Sequence, residues 1–192
     1  MKTKIVKTSM MKKMNRTMLW TFMTLVLIGS LAACGTSTNT DEAYKVEIEG
    51  TGVVQGVEVT LADLKHMEAG VEEASYFSLN SYGTRDRTRF KGVWLWYLLQ
   101  QSVELRENAS TVTLVAEDGY QVTYSLEEVQ REDYLDEESP GATLKMIIAW
   151  EQEGQPLTGE EGNPLQLVVG QRETGDVNKP YWVRNISRIL VE

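Results

Sequence analysis

The chain has 192 residues, a length that fits an N-terminal leader and one domain of ordinary size. Its formal net charge is −9, and all six charged residues before Cys34 are basic, so the net charge becomes −15 once those six are set aside. A surface this acidic repels phosphate groups, which argues against nucleic acid and anionic lipid headgroups as partners of the folded domain.

The chain begins with a basic segment that leads into an apolar run over 18–28 and then into small residues. This order is typical of a secretory signal, and the run is too short for a membrane-spanning helix. The sequence Leu31-Ala32-Ala33-Cys34 resembles the lipobox of bacterial lipoproteins, in which the cysteine is lipidated and becomes the mature N-terminus. We therefore expect a signal peptide over 1–33 and a Cys34 that carries fatty-acyl chains such as palmitate. The alternative is an ordinary leader cleaved nearby, which would leave Cys34 a free thiol.

A lipidated Cys34 would hold the protein on the cell membrane, facing the extracytoplasmic side. Cys34 is the only cysteine, so the exported domain has no internal disulfide, and acylation leaves no thiolate for a metal. Residues 34–43 are small and polar, which predicts a flexible tether because they offer too little apolar surface to fold. The folded domain is then expected over 44–192.

Alternating apolar and polar residues predict strands over 44–49 and 57–60. The glycines of 50–56 fall near the spacing of a dinucleotide-binding loop, but strand-like residues follow where a helix should begin, so we reject that reading. Thr60 with Asp63 matches a capping box that opens a short helix. His66, the only histidine, lies on that helix, and we interpret it as a structural or surface residue because metal sites need convergent ligands.

A strand is predicted over 75–80, and an extended segment with alternating cations follows it. In extended backbone these cations all point to one side; they are Arg85, Arg87, Arg89 and Lys91. The functional interpretation is an anion site, where guanidinium groups bind phosphate or carboxylate in a bidentate manner. The alternative is a solvated strand edge whose cations offset nearby acids.

The densest apolar region follows. A turn at Gly92 and the almost uniformly apolar residues 93–99 predict a helix that is buried on most sides. Strand-like residues flank Asp118-Gly119, which predicts a β-hairpin because glycine accepts a positive φ. Ser125 and Glu128 then match a second capping box.

The rest of the chain is predicted to be an acidic solvated loop and three strands. The loop covers 130–139 and lacks the ligand spacing of a calcium loop. Apolar runs over 144–150 and 165–169 predict inner strands, and 181–191 predicts a terminal strand.

Five segments taken in order resemble the molybdopterin-binding domain of the sulfite-oxidase family. They are Phe90-Lys-Gly-Val93 with Leu98-Leu99, Glu117-Asp-Gly-Tyr120, Gly154-Gln-Pro-Leu157, Gly162-Asn-Pro-Leu-Gln-Leu-Val-Val169 and Trp182-Val-Arg-Asn-Ile186. The resemblance runs from about Tyr44 to the end of the chain. It implies an α+β fold of mixed β-sheets with short helices and, in the family's enzymes, a molybdenum cofactor that carries out two-electron oxygen-atom chemistry.

Two departures from the family bear on activity. Catalytic members donate a cysteine thiolate to molybdenum from the region before the Gly-Val segment, whereas residues 76–89 contain no cysteine. The resemblance therefore allows molybdopterin as a cofactor. Ligation of molybdenum by a cysteine is not possible. Where the family commonly has an arginine after Pro-Leu, this chain has Gln166, so a cation expected near the cofactor is missing.

We weigh three functions. The first is a non-catalytic, lipid-anchored protein that binds a small anionic ligand or a membrane redox protein. Its anion-facing residues would be the four cations, with Tyr120 and Trp94 as flat walls, although both aromatic residues also fit plain core packing. The second is an oxidoreductase that holds molybdopterin without a cysteine ligand, and the third is a structural envelope protein. No residue spacing supports a nucleophile with a base beside it.

Overall fold

Two β-sheets carry the fold, and short helices connect and cover them. The structure is a computed structural model that describes residues 40–158 and 163–192. The strands are β1 Lys45–Glu49, β2 Val57–Thr60, β3 Val71–Leu79, β4 Arg85–Trp94, β5 Thr111–Ala116, β6 Gln121–Ser125, β7 Ile147–Gln152, β8 Gln155–Pro156, β9 Gln166–Val168 and β10 Ile186–Val191. The α-helices are α1 Thr40–Ala43, α2 Leu61–His66, α3 Leu95–Ser102 and α4 Leu126–Gln130, and 3₁₀ turns cover Glu68–Gly70 and Lys179–Tyr181.

The first sheet has the strand order β2-β1-β10-β5-β6. Its β1 and β10 are parallel and its other neighbours are antiparallel, so the last strand of the chain lies in the middle of the sheet. In the second sheet β3, β4 and β7 are neighbours, and both β8 and β9 pair with β7. The expected α+β fold of mixed sheets with short helices is confirmed.

Both sheets contribute to one hydrophobic core. The Phe90 ring meets Tyr76 and Trp182 edge-on, at centroid distances of 6.3 and 5.4 Å, so it links the second sheet to the segment before β10. The Asp118-Gly119 hairpin is confirmed, with Gly119 at φ +86°. Both capping boxes, which start α2 and α4, are confirmed as well.

The predicted helix over 93–99 begins two residues later than expected. Val93 and Trp94 belong to β4, and the helix starts at Leu95. The expected turn at Gly92 is wrong, since this glycine lies inside the strand pairing with β7. A Cβ at Gly92 would lie 2.2 Å from the Ile148 carbonyl oxygen, so close approach of two backbones requires the glycine.

Other predicted boundaries shift for reasons of pairing. Strand β3 starts at Val71, because all nine of its residues pair with β4. The terminal strand starts only at Ile186, after a 3₁₀ turn that contains Pro180. The interpretation of 130–139 as a solvated loop is wrong at Tyr134 and Asp136, which are buried.

The C-terminal end of the predicted tether is helical. Its last four residues form α1, and Asp41 makes an ion pair with Lys65 at 2.7 Å. The predicted signal peptide, Cys34 and the rest of the tether lie outside the described residues. None of the helices in the described part of the chain is long and apolar enough to cross a membrane.

Replacing Gly92 with alanine should lower the free energy of unfolding by about 3 kcal/mol, because the added methyl group would push the β4 and β7 backbones apart. Gly83 provides the control: its φ is +79° and nothing lies within 4 Å of an added Cβ. Gly83→Ala should therefore cost only about 1 kcal/mol of conformational strain. Urea denaturation of both variants tests this, and equal losses would contradict the role assigned to Gly92.

Candidate functional site

A cleft opens beside β9, where the segment that leads into β10 crosses it. It consists of two adjoining cavities of about 310 and 220 Å³, which share the lining residues Gln166, Arg184 and Asn185. The larger cavity is also lined by Ala116, Asp118, Tyr120, Lys179 and Trp182. The smaller cavity is also lined by Gln152, Leu157, Thr158 and Pro164. We call the two cavities together the Arg184 cleft.

Backbone hydrogen bonds hold the segment before β10 against β9. The Leu167 amide donates to the Val183 carbonyl at 2.7 Å, and the Ile186 amide donates to the Leu165 carbonyl at 3.0 Å. These two bonds flank Arg184 and Asn185. They place Arg184, on the segment that leads into β10, beside Gln166 of β9.

Asn178 anchors the other end of this segment. It is buried, and its amide nitrogen donates to the carbonyls of Phe77 at 2.9 Å and Val169 at 3.0 Å. Its amide oxygen accepts from the Leu79 amide at 2.9 Å. The Trp182 indole donates to the same Val169 carbonyl at 2.9 Å. These hydrogen bonds fix the position of Asn178, and Lys179 is the next residue in the chain.

Lys179 and Arg184 are the two cations of the cleft, and neither makes an ion pair with any described residue. The half-buried Lys179 ammonium lies 3.8 Å from the centroid of the Trp182 ring. Burial, and next the Arg184 charge, lower the pKa of Lys179, while the Asp86 carboxylate acts in the opposite direction. Both cations would gain from an anion bound between them.

Gln166 lies at the floor of the cleft. It is only 5% exposed, yet its side-chain amide makes no hydrogen bond to the described residues. Other buried amides of this chain are bonded: the Asn163 side chain donates to the Lys45 carbonyl and accepts from the Leu165 amide. Its amide atoms are not among the buried unpaired side-chain atoms of the described residues, so the amide opens into the cleft. An amide that lines both cavities and has no partner among the described residues is available to a ligand.

The four cations predicted from the sequence lie outside this cleft. Residues 85–91 do alternate, with Thr88 and Phe90 buried and the arginines exposed. Each arginine faces an acid: Arg85 Nη1 lies 3.8 Å from Glu137, Arg87 Nε lies 2.9 Å from Asp136, and Arg89 Nη1 lies 3.5 Å from Glu73. This is the arrangement that the strand-edge alternative describes.

Lys91 lies opposite Glu73 in the pairing of β3 with β4, and it lines a groove of about 450 Å³ together with Glu68 and Glu151. His66 is exposed at the end of α2. Among the residues that the structure describes, no group of three or more His, Cys, Asp or Glu side chains could hold a metal ion.

Of the two predicted aromatic walls, one lies at the cleft. Tyr120 lines the larger cavity and is 47% exposed, and its hydroxyl donates to the Pro180 carbonyl. Trp94 does not line the cleft; its ring instead packs under the Lys145 ammonium at 4.4 Å.

The sequence analysis missed Lys179 and Arg184 as site residues. Arg184 falls inside one of the segments that carry the family resemblance, which was the available signal. Lys179 has no such signal, because only the Asn178 hydrogen bonds bring it to the cleft.

Comparison with known proteins agrees with the fold. The family model described as the oxidoreductase molybdopterin binding domain matches residues 34–189. Among solved structures, the sulfane dehydrogenase SoxCD from Paracoccus pantotrophus is similar in fold, with a TM-score of 0.58 and 17% sequence identity. The match covers 79% of this chain and 38% of that chain, so this chain spans well under half of its length. No curated protein matches.

The unpaired amide of Gln166 gives a stability prediction. Gln166→Leu should leave the melting temperature nearly unchanged, because its amide opens into the cleft and no hydrogen bond to the described residues is lost. The matched control is Gln171→Leu, five residues away. Gln171 is fully buried, exchanges hydrogen bonds with Glu137 and donates to the Asp176 carbonyl, all at 3.1 Å. This second substitution should cost about 2 kcal/mol or more, and a comparable loss at Gln166 in thermal denaturation would show that its amide is already paired.

Proposed function

Because this chain belongs to the family of the oxidoreductase molybdopterin-binding domain, we propose that it is a lipid-anchored, extracytoplasmic protein whose domain binds a small anionic ligand in the Arg184 cleft. In this proposal the protein does not catalyse the chemistry of cysteine-ligated molybdenum. It acts by binding its ligand or a membrane redox protein.

One observation supports the binding role above the others. In a chain with a net charge of −9, Lys179 and Arg184 converge on one cleft without an ion pair to the described residues, beside the unpaired amide of Gln166. Cations on an acidic protein are normally neutralised by neighbouring acids, as Arg85, Arg87 and Arg89 are. Unpaired cations beside an unpaired amide favour an anionic group with hydrogen-bonding capacity.

The cleft fits the organic part of the family's cofactor better than its metal. Lys179 and Arg184 would hold an anionic group and Gln166 would bond a ring edge, whereas the metal would supply oxygen-atom transfer. The chain has no cysteine other than Cys34, and the described residues offer no cluster of metal ligands. The residues present therefore do not fit a molybdenum ion held by a protein thiolate.

Anion binding is tested by thermal denaturation with sulfate, phosphate, molybdate and a reduced pterin. A ligand at about 100 times its Kd stabilises the native state by about 2.7 kcal/mol, which raises the melting temperature by several degrees. We expect such a rise in the wild type and its loss in Arg184→Ala and Lys179→Ala. The control is Arg85→Ala, which removes the same charge from outside the cleft and should keep the rise.

Two outcomes would contradict the proposed function. The binding role is contradicted by a rise in melting temperature that Arg85→Ala abolishes and Arg184→Ala preserves. The non-catalytic role is contradicted by stoichiometric molybdenum in protein matured in a cell that makes and inserts the cofactor. That result would favour the alternative of a molybdopterin-dependent oxidoreductase without a cysteine ligand.

Membrane anchoring is tested at Cys34. Cys34→Ala should move the protein from the membrane fraction to the soluble extracytoplasmic fraction, because the acyl chains would supply the anchor at about 0.8 kcal/mol per buried methylene group. Ser37→Ala, three residues away, should remain on the membrane. Fractionation with intact-mass measurement reads out both, and a wild-type mature protein whose intact mass shows no acyl chains would rule out lipid anchoring at this residue.

A further inference from the structure

Among the described residues, acids offset part of the positive charge of the Arg184 cleft, which restricts the anion that it can hold. Lys179 and Arg184 supply two positive charges, while the Asp118 carboxylate lines the same cavity. Asp86 also acts on Lys179 electrostatically. The floor residue, Gln166, is uncharged. Counted over the described residues, the cleft therefore offers no more than about one positive charge for a ligand to neutralise.

The two cavities differ in character. Among the described residues, the larger one contains the charged groups, whereas the smaller one is lined by uncharged side chains apart from the shared Arg184. Leu157 and Pro164 give it apolar walls, and Gln152 and Thr158 give it neutral polar groups. Gln166 lies where the two cavities join. A ligand that fills both would place its anionic group near Lys179 and an uncharged body near Leu157.

From this distribution we infer that the ligand is an organic monoanion, a carboxylate or sulfonate on an uncharged body of about ring size, in preference to a phosphate dianion. The inference rests on the proposed function of the cleft. The Arg184 guanidinium binds a planar carboxylate with two parallel hydrogen bonds, and Lys179 adds a point charge. A dianion would leave one negative charge uncompensated beside Asp118, in a chain that is already acidic.

The test compares three probes by calorimetry on the purified full chain. Benzoate carries one charge and a ring, acetate carries the charge alone, and phenyl phosphate carries the ring with close to two charges at about pH 8, because its second pKa is about 6. We expect benzoate to bind at least about tenfold more tightly than either of the others. Tighter binding of phenyl phosphate would overturn the monoanion preference, and equal binding of acetate would overturn the role of the uncharged cavity.

Two variants test the charge argument directly. Asp118→Asn removes the negative charge from the cleft and replaces Asp-Gly with Asn-Gly, which also suits the hairpin, so phenyl phosphate should bind about tenfold more tightly than to the wild type. Gln166→Arg adds a positive charge at the floor and should act in the same direction. The matched control, Glu107→Gln, changes the net charge by the same amount at an exposed position outside the cleft. It should change neither the affinity for phenyl phosphate nor that for benzoate.

Failure of this inference is distinguishable from failure of the proposed function. If phenyl phosphate binds more tightly than benzoate and Arg184→Ala abolishes that binding, the cleft binds anions but the monoanion inference is wrong. If none of the probes binds and the anions tested by thermal denaturation give no rise, both are wrong. If Glu107→Gln changes the phenyl phosphate affinity as much as Asp118→Asn, the effect comes from net charge and the cleft argument is overturned.

Discussion

The carbonyl oxygen of Val169 accepts two side-chain hydrogen bonds, from the Asn178 amide and the Trp182 indole, and the cleft depends on this double contact. Both donors are buried, so neither can exchange its partner for water without a cost of about 1–3 kcal/mol. The residues between them, Lys179 among them, are therefore held at a fixed distance from the end of β9. The hydrogen bonds at both ends of the segment 178–182 therefore fix the position of Lys179 in the cleft.

The cleft brings together Lys179 and Arg184, two cations that, like Lys91 and Arg106, make no ion pair with the described residues. Most other described cations meet acids: Arg172 bonds both carboxylate oxygens of Asp176, and Lys145 lies between Glu72 and Glu132. Such exposed pairs contribute little to stability, but they leave no cation available for a ligand. Lys179 and Arg184 keep that capacity because Asp118, on the β5–β6 turn, and Asp86, on β4, do not come within ion-pair distance of them. Unpaired charge on a fixed loop is available to a ligand, whereas paired charge along a strand is not.

The sequence was sufficient for features set by neighbours in the chain. Gly119 fixes its hairpin, and the Thr60 and Ser125 caps fix their helices, because each depends on residues at most three positions away. It was insufficient where a partner is remote. Gly92 is needed because β7 approaches it, and that approach has no local signal. The stripe on β4 alternates as expected, but only the fold shows that acids face its arginines. The cleft joins β5–β6, β9 and the segment before β10, which no spacing rule connects.

The same anchor bears on the missing cysteine. The family resemblance places the metal-binding thiolate within 76–89, the hairpin of β3 and β4, whereas the cleft cations lie on the segment before β10. Asn178 connects the two regions by bonding backbone atoms only, the Phe77 carbonyl and the Leu79 amide. Backbone groups are present whatever side chain a position carries, so a hairpin without a cysteine still holds the segment in place. The cleft residues and the region where the resemblance places the thiolate therefore lie on different segments, so the absence of a cysteine from the hairpin does not by itself remove the residues that line the cleft.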